Sequence, residues 1–229
     1  GRPYDRFSFL DRWGTVQAEV MEGLWGSFGF DVRYENDTAL YVKMVDLNSP
    51  AYRRGIRRGW QVIQINGRSD LSLSSLEQDN FSFLFDALDG QQIDLTLQQP
   101  DGQRVSLTLS REEYRVHPIV IDTVYVVGDK PVGYFAFNSF ISTLNEYGQP
   151  TYVKLQLDQL FARFESAGVR ELIVDLRYNG GGAVVTAEYL SNLLVPVSAG
   201  NRLMYTAKVN DNLDRFLQRY RVRMDFSPV

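Results

Sequence analysis

The chain has 229 residues, of which 44% are hydrophobic, 13% aromatic and 23% charged, the composition of a globular protein with a sizeable core and not of a disordered or collagen-like one. Its 24 Lys and Arg against 28 Asp and Glu leave a net charge of -4, so there is no basic excess to hold phosphate and nucleic acid is not an expected partner. The absence of cysteine and the presence of a single histidine exclude disulfides, thiolate sites, Cys nucleophiles and a multi-His metal centre, and no metal or cofactor is expected.

Along residues 4–22, Phe7, Leu10, Trp13, Val16, Val20 and Met21 recur at three- and four-residue steps, which predicts a helical segment over 1–23 ending near Gly23. From Leu24 the period changes to two: Phe28, Phe30, Val32 and Tyr34 predict a strand, and Asn36-Asp37 a turn before a second strand over 39–45. Ser49-Pro50 is a helix start, with Ser as N-cap and Pro in the first turn; Gly55 closes that helix and Gly59 precedes a strand over 61–65. A second helix is expected over 74–88, and strands over 91–99 and 103–109 joined through Asp101-Gly102. The charged run from Arg111 to Arg115, followed by Pro118, marks a boundary, so the expected units are 1–23, 24–110 and 111–229.

Beyond the boundary, strands over 124–127 and 132–137 flank a Gly128-Asp129 turn, and Leu157, Leu160, Phe161 and Phe164 step as a helix that Gly168 ends. Leu172 to Leu176 reads as a strand covered on both faces, followed by three glycines and a helix from Ala183 to Leu194. Strand, helix, strand, helix indicates an α/β layer.

Two constellations carry chemistry. In the first, Ser27-Phe28-Gly29-Phe30 enters a strand through a loop whose successive N–H groups can converge on an anion, for which a terminal carboxylate is suited. That loop resembles the carboxylate-binding loop of PDZ domains, and the run from Ser49 to Gly67 is similar to the bacterial PDZ pattern of helix, glycine and a strand ending in Asn-Gly. The resemblance covers residues 25–110. It implies that a peptide adds as a strand beside 28–34, its end held by the amides of Phe28, Gly29 and Phe30. Leu76, Phe83 and Leu84 of the second helix are candidates for a side-chain pocket, with ordinary core as their other reading. Ser27 stands where many PDZ domains have glycine.

In the second, Gly180-Gly181-Gly182 closes a strand just before a helix, where free amides suit negative charge: a phosphate, or the oxyanion of an acyl-transfer intermediate. The lysine and hydroxyl of a phosphate loop are missing, since Ala183-Val184-Val185 follow. The segment from Asp175 to Gly182 resembles the Asp-Leu-Arg-x-Asn-x-Gly-Gly signature of the C-terminal processing peptidases, with Gly180 in place of a frequent proline. Val132 to Phe137 is similar to the strand that opens their catalytic core, and a preceding PDZ domain is part of the same arrangement.

That likeness implies a fold class of mixed α+β and α/β type: a PDZ-like, partly open β-barrel with two helices, then part of an α/β serine-protease core. It implies a serine endopeptidase with a Ser/Lys pair, acting on a polypeptide or its C-terminus. Gly181, ranked first, and Gly182 are the expected oxyanion donors, and Asp175, Arg177 and Asn179 support the loop. It further implies export in a bacterium, to the periplasm or as an outer-membrane lipoprotein, with any signal or membrane anchor outside these residues. No Ser/Thr-Ala-Ser type segment of the family pattern follows Gly182 and no lysine follows Lys208, so the chain is expected to lack nucleophile and base and to be inactive alone. A non-catalytic peptide-binding scaffold and an anion-binding α/β protein are the competing readings. His117 lies before Pro118 with no GxSxG motif, and a hydrogen-bonding role is expected of it; Arg53, Arg54, Arg57 and Arg58 read as a solvated helix face.

Overall fold

A computed structural model describes residues 14–208, 210–216 and 222–228. The expected helical lead-in lies outside the described residues up to residue 13; from Thr15 the chain is helical, α1 (Thr15–Gln17) running into a π-helical turn (Ala18–Glu22) that ends at Gly23. The first unit then follows as β1 (Leu24–Ser27), β2 (Phe30–Asn36), β3 (Ala39–Val45), α2 (Pro50–Arg53), β4 (Gln61–Ile65), α3 (Leu73–Glu77), α4 (Ser82–Asp89), β5 (Gln92–Gln98) and β6 (Arg104–Ser110). Strands β2-β3-β4-β5-β6 form one antiparallel sheet in that order, open at both edges among the described residues. Their alternate side chains bury Leu40, Val42, Val62, Ile65, Ile93, Leu95 and Leu97 together with Leu76 and Leu84 from the helices.

Two elements differ from the periodicity. The helix expected over 74–88 is two short helices, because Asn80 and Phe81 adopt positive φ (54° and 62°) and break the ladder between α3 and α4. The charged run holds a strand that periodicity does not show: β7 (Glu112–Arg115) pairs antiparallel with β1, Trp25 opposite Tyr114, so residues 24–27 are tied to the start of the second unit. Alternation hides here because three of the four residues are charged and only Tyr114 faces inward.

The second unit comprises β8 (Ile119–Val127), β9 (Lys130–Phe137), α5 (Tyr152–Ser166), β10 (Glu171–Asp175) and α6 (Val184–Leu194), then β11 (Leu203–Ala207), α7 (Asp211–Phe216) and β12 (Val222–Asp225). β8 and β9 form a hairpin, and β10 returns parallel to β9 after α5. Val153, Leu157, Leu160 and Phe164 lie on one stripe of α5 and pack on Phe135 and Phe137 of β9. β10 is not covered on both faces as its aliphatic run suggests: among the described residues it is the edge of its sheet, and Ile173 is half exposed. β11 pairs with β12.

Candidate active site

The loop between β1 and β2 is shaped by one close approach. Gly29 has φ 81°, and a Cβ there would overlap Ser49 Cβ and Oγ. Ser49 is fully buried because it does two jobs: its Oγ caps α2 by accepting from Tyr52 N–H (3.1 Å) and donates to Gly29 O (3.2 Å). Asp46 N–H donates to Gly29 O (2.9 Å) and Ala51 N–H to Phe28 O (3.0 Å). Since Gly29 faces β3 through that bond, the next residue, Phe30, turns its N–H and C=O to the outer edge of β2, which has no neighbouring strand among the described residues.

The middle amide of the loop is committed. Gly29 N–H donates to Ser27 Oγ (3.0 Å), Ser27 Oγ is 3.0 Å from Tyr114 Oη, and Tyr114 donates to Asp46 Oδ2 (2.6 Å). As each hydroxyl has one proton, Ser27 donates to Tyr114, and the relay runs one way from Gly29 to Asp46. Asp46 is buried, which pushes its carboxyl up; the hydrogen bond from Tyr114 opposes the shift. Burial beside Asp46 pushes the Tyr114 phenol far up as well.

The glycine loop is held from both sides. Asn179 Nδ2 donates to Phe137 O (2.9 Å) while its Oδ1 accepts from Gly181 N–H (2.7 Å). Gly180 N–H donates to Asn138 O (3.2 Å), Phe140 N–H to Gly181 O (2.8 Å) and Ala183 N–H to Phe140 O (2.6 Å), a one-residue parallel bridge between Phe140 and Gly182. At Gly182, φ 137°, a Cβ would overlap the Phe140 carbonyl, so only glycine permits the bridge. Among the described residues no acceptor meets the Gly182 N–H. The sequence ranks Gly181 first as oxyanion donor; the structure gives that amide to Asn179 and leaves Gly182 open.

Behind the loop, Asp175 accepts from Arg177 N–H (3.1 Å), Arg177 Nη2 (2.6 Å) and Tyr134 Oη (2.8 Å). The Arg177 guanidinium and its backbone N–H hold the Asp175 carboxyl well below the usual range. Tyr178 faces the first unit: Lys43 Nζ and the Arg58 guanidinium each lie 5.2 Å from its ring centre, and Arg58 donates to its hydroxyl (3.3 Å). Lys43 also pairs with Asp31 of β2 (3.6 Å).

The two constellations meet. Phe28, Gly29 and Phe30 on one side and Gly180, Gly181 and Gly182 on the other line a single open cavity of about 590 Å³, with Asn138 and Tyr178 also in its lining. Leu76, Phe83 and Leu84 are not part of it. Leu76 and Leu84 are core, and Phe83 packs against that core beneath Arg68, 4.8 Å away. The break at Asn80 and Phe81 resets the helix, so the residues α4 contributes to the cavity are Leu88 and Asp89 of its last turn. Arg53, Arg54, Arg57 and Arg58 are exposed, as read from the sequence, and three of them also make surface contacts: Arg53 with Glu112, Arg57 over the Tyr52 ring at 4.1 Å, and Arg58 on Tyr178. His117 Nδ1 lies 2.6 Å from Ile119 O, and His117 is not in the cavity lining. Sequence reasoning missed Asp46, Tyr114 and Tyr178. Tyr178 was readable as an aromatic inside the glycine signature, whereas Asp46 and Tyr114 are 68 positions apart and no local pattern joins them.

Fold and site together define a mixed α+β chain of several sheets, the first of them open and not closed into a barrel. Residues 131–222, which contain the glycine signature, match the sequence model of Peptidase family S41. A crystal structure described as an S41 protease from Bacteroides fragilis NCTC 9343 shares 23% identity and a TM-score of 0.62, covering 91% of this chain and 54% of its own, a likeness of fold. The photosystem II D1 C-terminal processing protease is a looser likeness, at 21% identity, TM-score 0.44 and coverage of 80% of this chain and 46% of its own. Looser again is the PDZ domain of the carboxy-terminal protease from Vibrio cholerae in complex with peptide, at 14%, 0.31, 41% and 99%. The chain spans about half the length of the two larger structures. No curated protein matches it.

Proposed function

We propose that these residues are the substrate-binding and oxyanion-stabilising part of a serine endopeptidase of the C-terminal processing type, completed by a nucleophile and base outside the 229 residues. One observation carries the reading: the strand-entry loop at Gly29 and the glycine loop at Gly182 open into the same cavity. A polypeptide lying along the free edge of β2 is thereby presented to the Gly182 amide. One open N–H suits the single oxygen of a tetrahedral intermediate better than a phosphate, which needs several converging donors, while Gly180, Gly181 and Ala183 amides are already bonded. Lys43 lines the cavity but is paired with Asp31, so it does not serve as the base. The chain alone binds polypeptide without cleaving it, and the parent protein works outside the cytoplasm of a bacterium, which cell fractionation would check.

The test is cleavage of an unstructured reporter polypeptide by the full-length parent and by its Gly182→Ala variant. A Cβ at this position drives the loop off Phe140, and turnover should fall on the order of 10²-fold or more, as for loss of an oxyanion donor. Equal rates would remove Gly182 from the mechanism. A parent that binds the reporter and never cuts it is the scaffold of the competing reading.

A further inference from the structure

We infer that the cavity takes an internal, extended polypeptide segment and not the free carboxyl end of a chain. The inference rests on the peptide-binding reading above and narrows it. A loop that captures a terminal carboxylate needs its successive amides free and no anion nearby. Here the central amide, Gly29 N–H, is spent on Ser27 Oγ, and the relay through Tyr114 ends on a buried carboxylate, Asp46, that itself lines the cavity. The loop already has its anion, supplied from within. A second carboxylate would lose one of three donors and meet the charge of Asp46 in a poorly solvated place. Glu19, Asp31 and Asp89 also line the cavity, against one cation among the described residues, Lys43, which Asp31 holds.

The unpaired groups ask for something else. Trp25 Nε1 and Asn138 Oδ1 are buried without a partner among the described residues, and both residues line the cavity. Trp25 needs an acceptor and Asn138 Oδ1 a donor. A carboxylate offers only acceptors, whereas a peptide main chain offers both C=O and N–H. A segment whose main chain continues past Gly29 toward Gly182 also places an amide bond, not a chain end, at the glycine loop.

A randomised decapeptide pool, prepared once with a free carboxyl end and once as the C-terminal amide, would be passed over the immobilised 229-residue chain and the retained peptides quantified by mass spectrometry. Retention of the amide pool equal to the acid pool within about twofold, or greater, is the expected result. A preference for the acid pool of about tenfold or more would overturn the inference and leave the peptide-binding function standing. Retention of neither pool overturns both. The Ser27→Gly variant frees the Gly29 amide and should raise the ratio of acid-pool to amide-pool retention on the order of tenfold. If that variant does not fold by circular dichroism, Asp46→Asn, which keeps a partner for Tyr114 while removing the charge, is expected to give a gain in the same direction. A ratio unmoved in the folded variant counts against the inference.

Discussion

At the scale of single residues, the site is built from positions where one atom more or one charge fewer changes the outcome. Gly29 is the clearest. Its missing Cβ is the room Ser49 occupies while capping α2 and bonding Gly29 O, so Gly29→Ala forces apart a loop, a cap and a core serine at once. Overpacking of this kind costs about 1–3 kcal/mol, read as a lower urea midpoint at unchanged slope. Asp46 gives a pH test. Its folded-state carboxyl is raised above the ordinary 3.8, so the folded state holds that proton more tightly than the unfolded chain. Its contribution is therefore most favourable in acid and is lost as pH rises through the raised value. Asp46→Asn removes the penalty, and the midpoint of the variant relative to the parent protein should be higher at neutral pH than near pH 3.8. A difference independent of pH would contradict the assignment. These two residues also mark the limit of legibility. Gly29 announces itself within four letters, because a glycine between two Phe at a strand entry has few other reasons to be there. Asp46 carries no local signal, since what makes it matter is Tyr114, brought beside it by the pairing of β1 with β7.

At the scale of elements, periodicity located β2 to β6, β9, β10 and the helices α2, α5 and α6, gave no expectation for β1, β7, β11, α7 or β12, and failed where a backbone choice or a missing neighbour overrides side-chain pattern. Asn80 and Phe81 look helical in composition, yet their positive φ splits the helix; of the three pocket candidates, Leu76 and Leu84 take the core reading and Phe83 lies half-buried against that core. β10 reads as doubly covered from its aliphatic run, yet only one of its faces packs against α5 within the described residues. α5 shows the pattern largely succeeding: of the expected Leu157, Leu160, Phe161 and Phe164, all but the half-buried Phe161 are buried, Val153 extends the stripe one turn earlier, and Leu155 on the other face is exposed. This stripe fixes β9 against β10 and thereby the two strand ends from which Asn138 and Asp175 support the glycine loop. Leu157→Ala, at a fully buried position, should cost about 2–5 kcal/mol in denaturant unfolding, and Leu155→Ala well under 1 kcal/mol by roughly the rule for exposed sites. Similar losses at both would mean that the stripe is not the packing face.

At the scale of the whole molecule, the two hydrophobic clusters are separate, and what joins them is polar and aromatic. β1 with β7 forms one seam, Asn48 donating to Arg115 O (2.8 Å) reinforces it, and Tyr178 forms the other. The Tyr178 seam is the more consequential, because the residue belongs to the glycine loop while Lys43 and Arg58, which flank its ring, belong to the first unit. Lys43 in turn holds Asp31 on β2, along whose edge a polypeptide would lie, so β2 and the glycine loop share a cation. Exposed cation–π contacts are each worth about 0.5–1 kcal/mol, enough to bias a short loop and too little to decide global stability. Tyr178→Ala should therefore leave the urea midpoint within about 1 kcal/mol of the parent protein while amide hydrogen exchange across residues 179–183 accelerates. Exchange in β10, held by its pairing with β9 and by the Asp175 contacts to Tyr134 and Arg177, should stay as it was. The double variant Lys43→Ala with Arg58→Ala should reproduce that exchange pattern with Tyr178 intact, since it removes the same seam from the opposite side. Unchanged protection at 179–183 in both variants would show that the Asn179 bonds to Phe137 and Gly181 hold the loop by themselves.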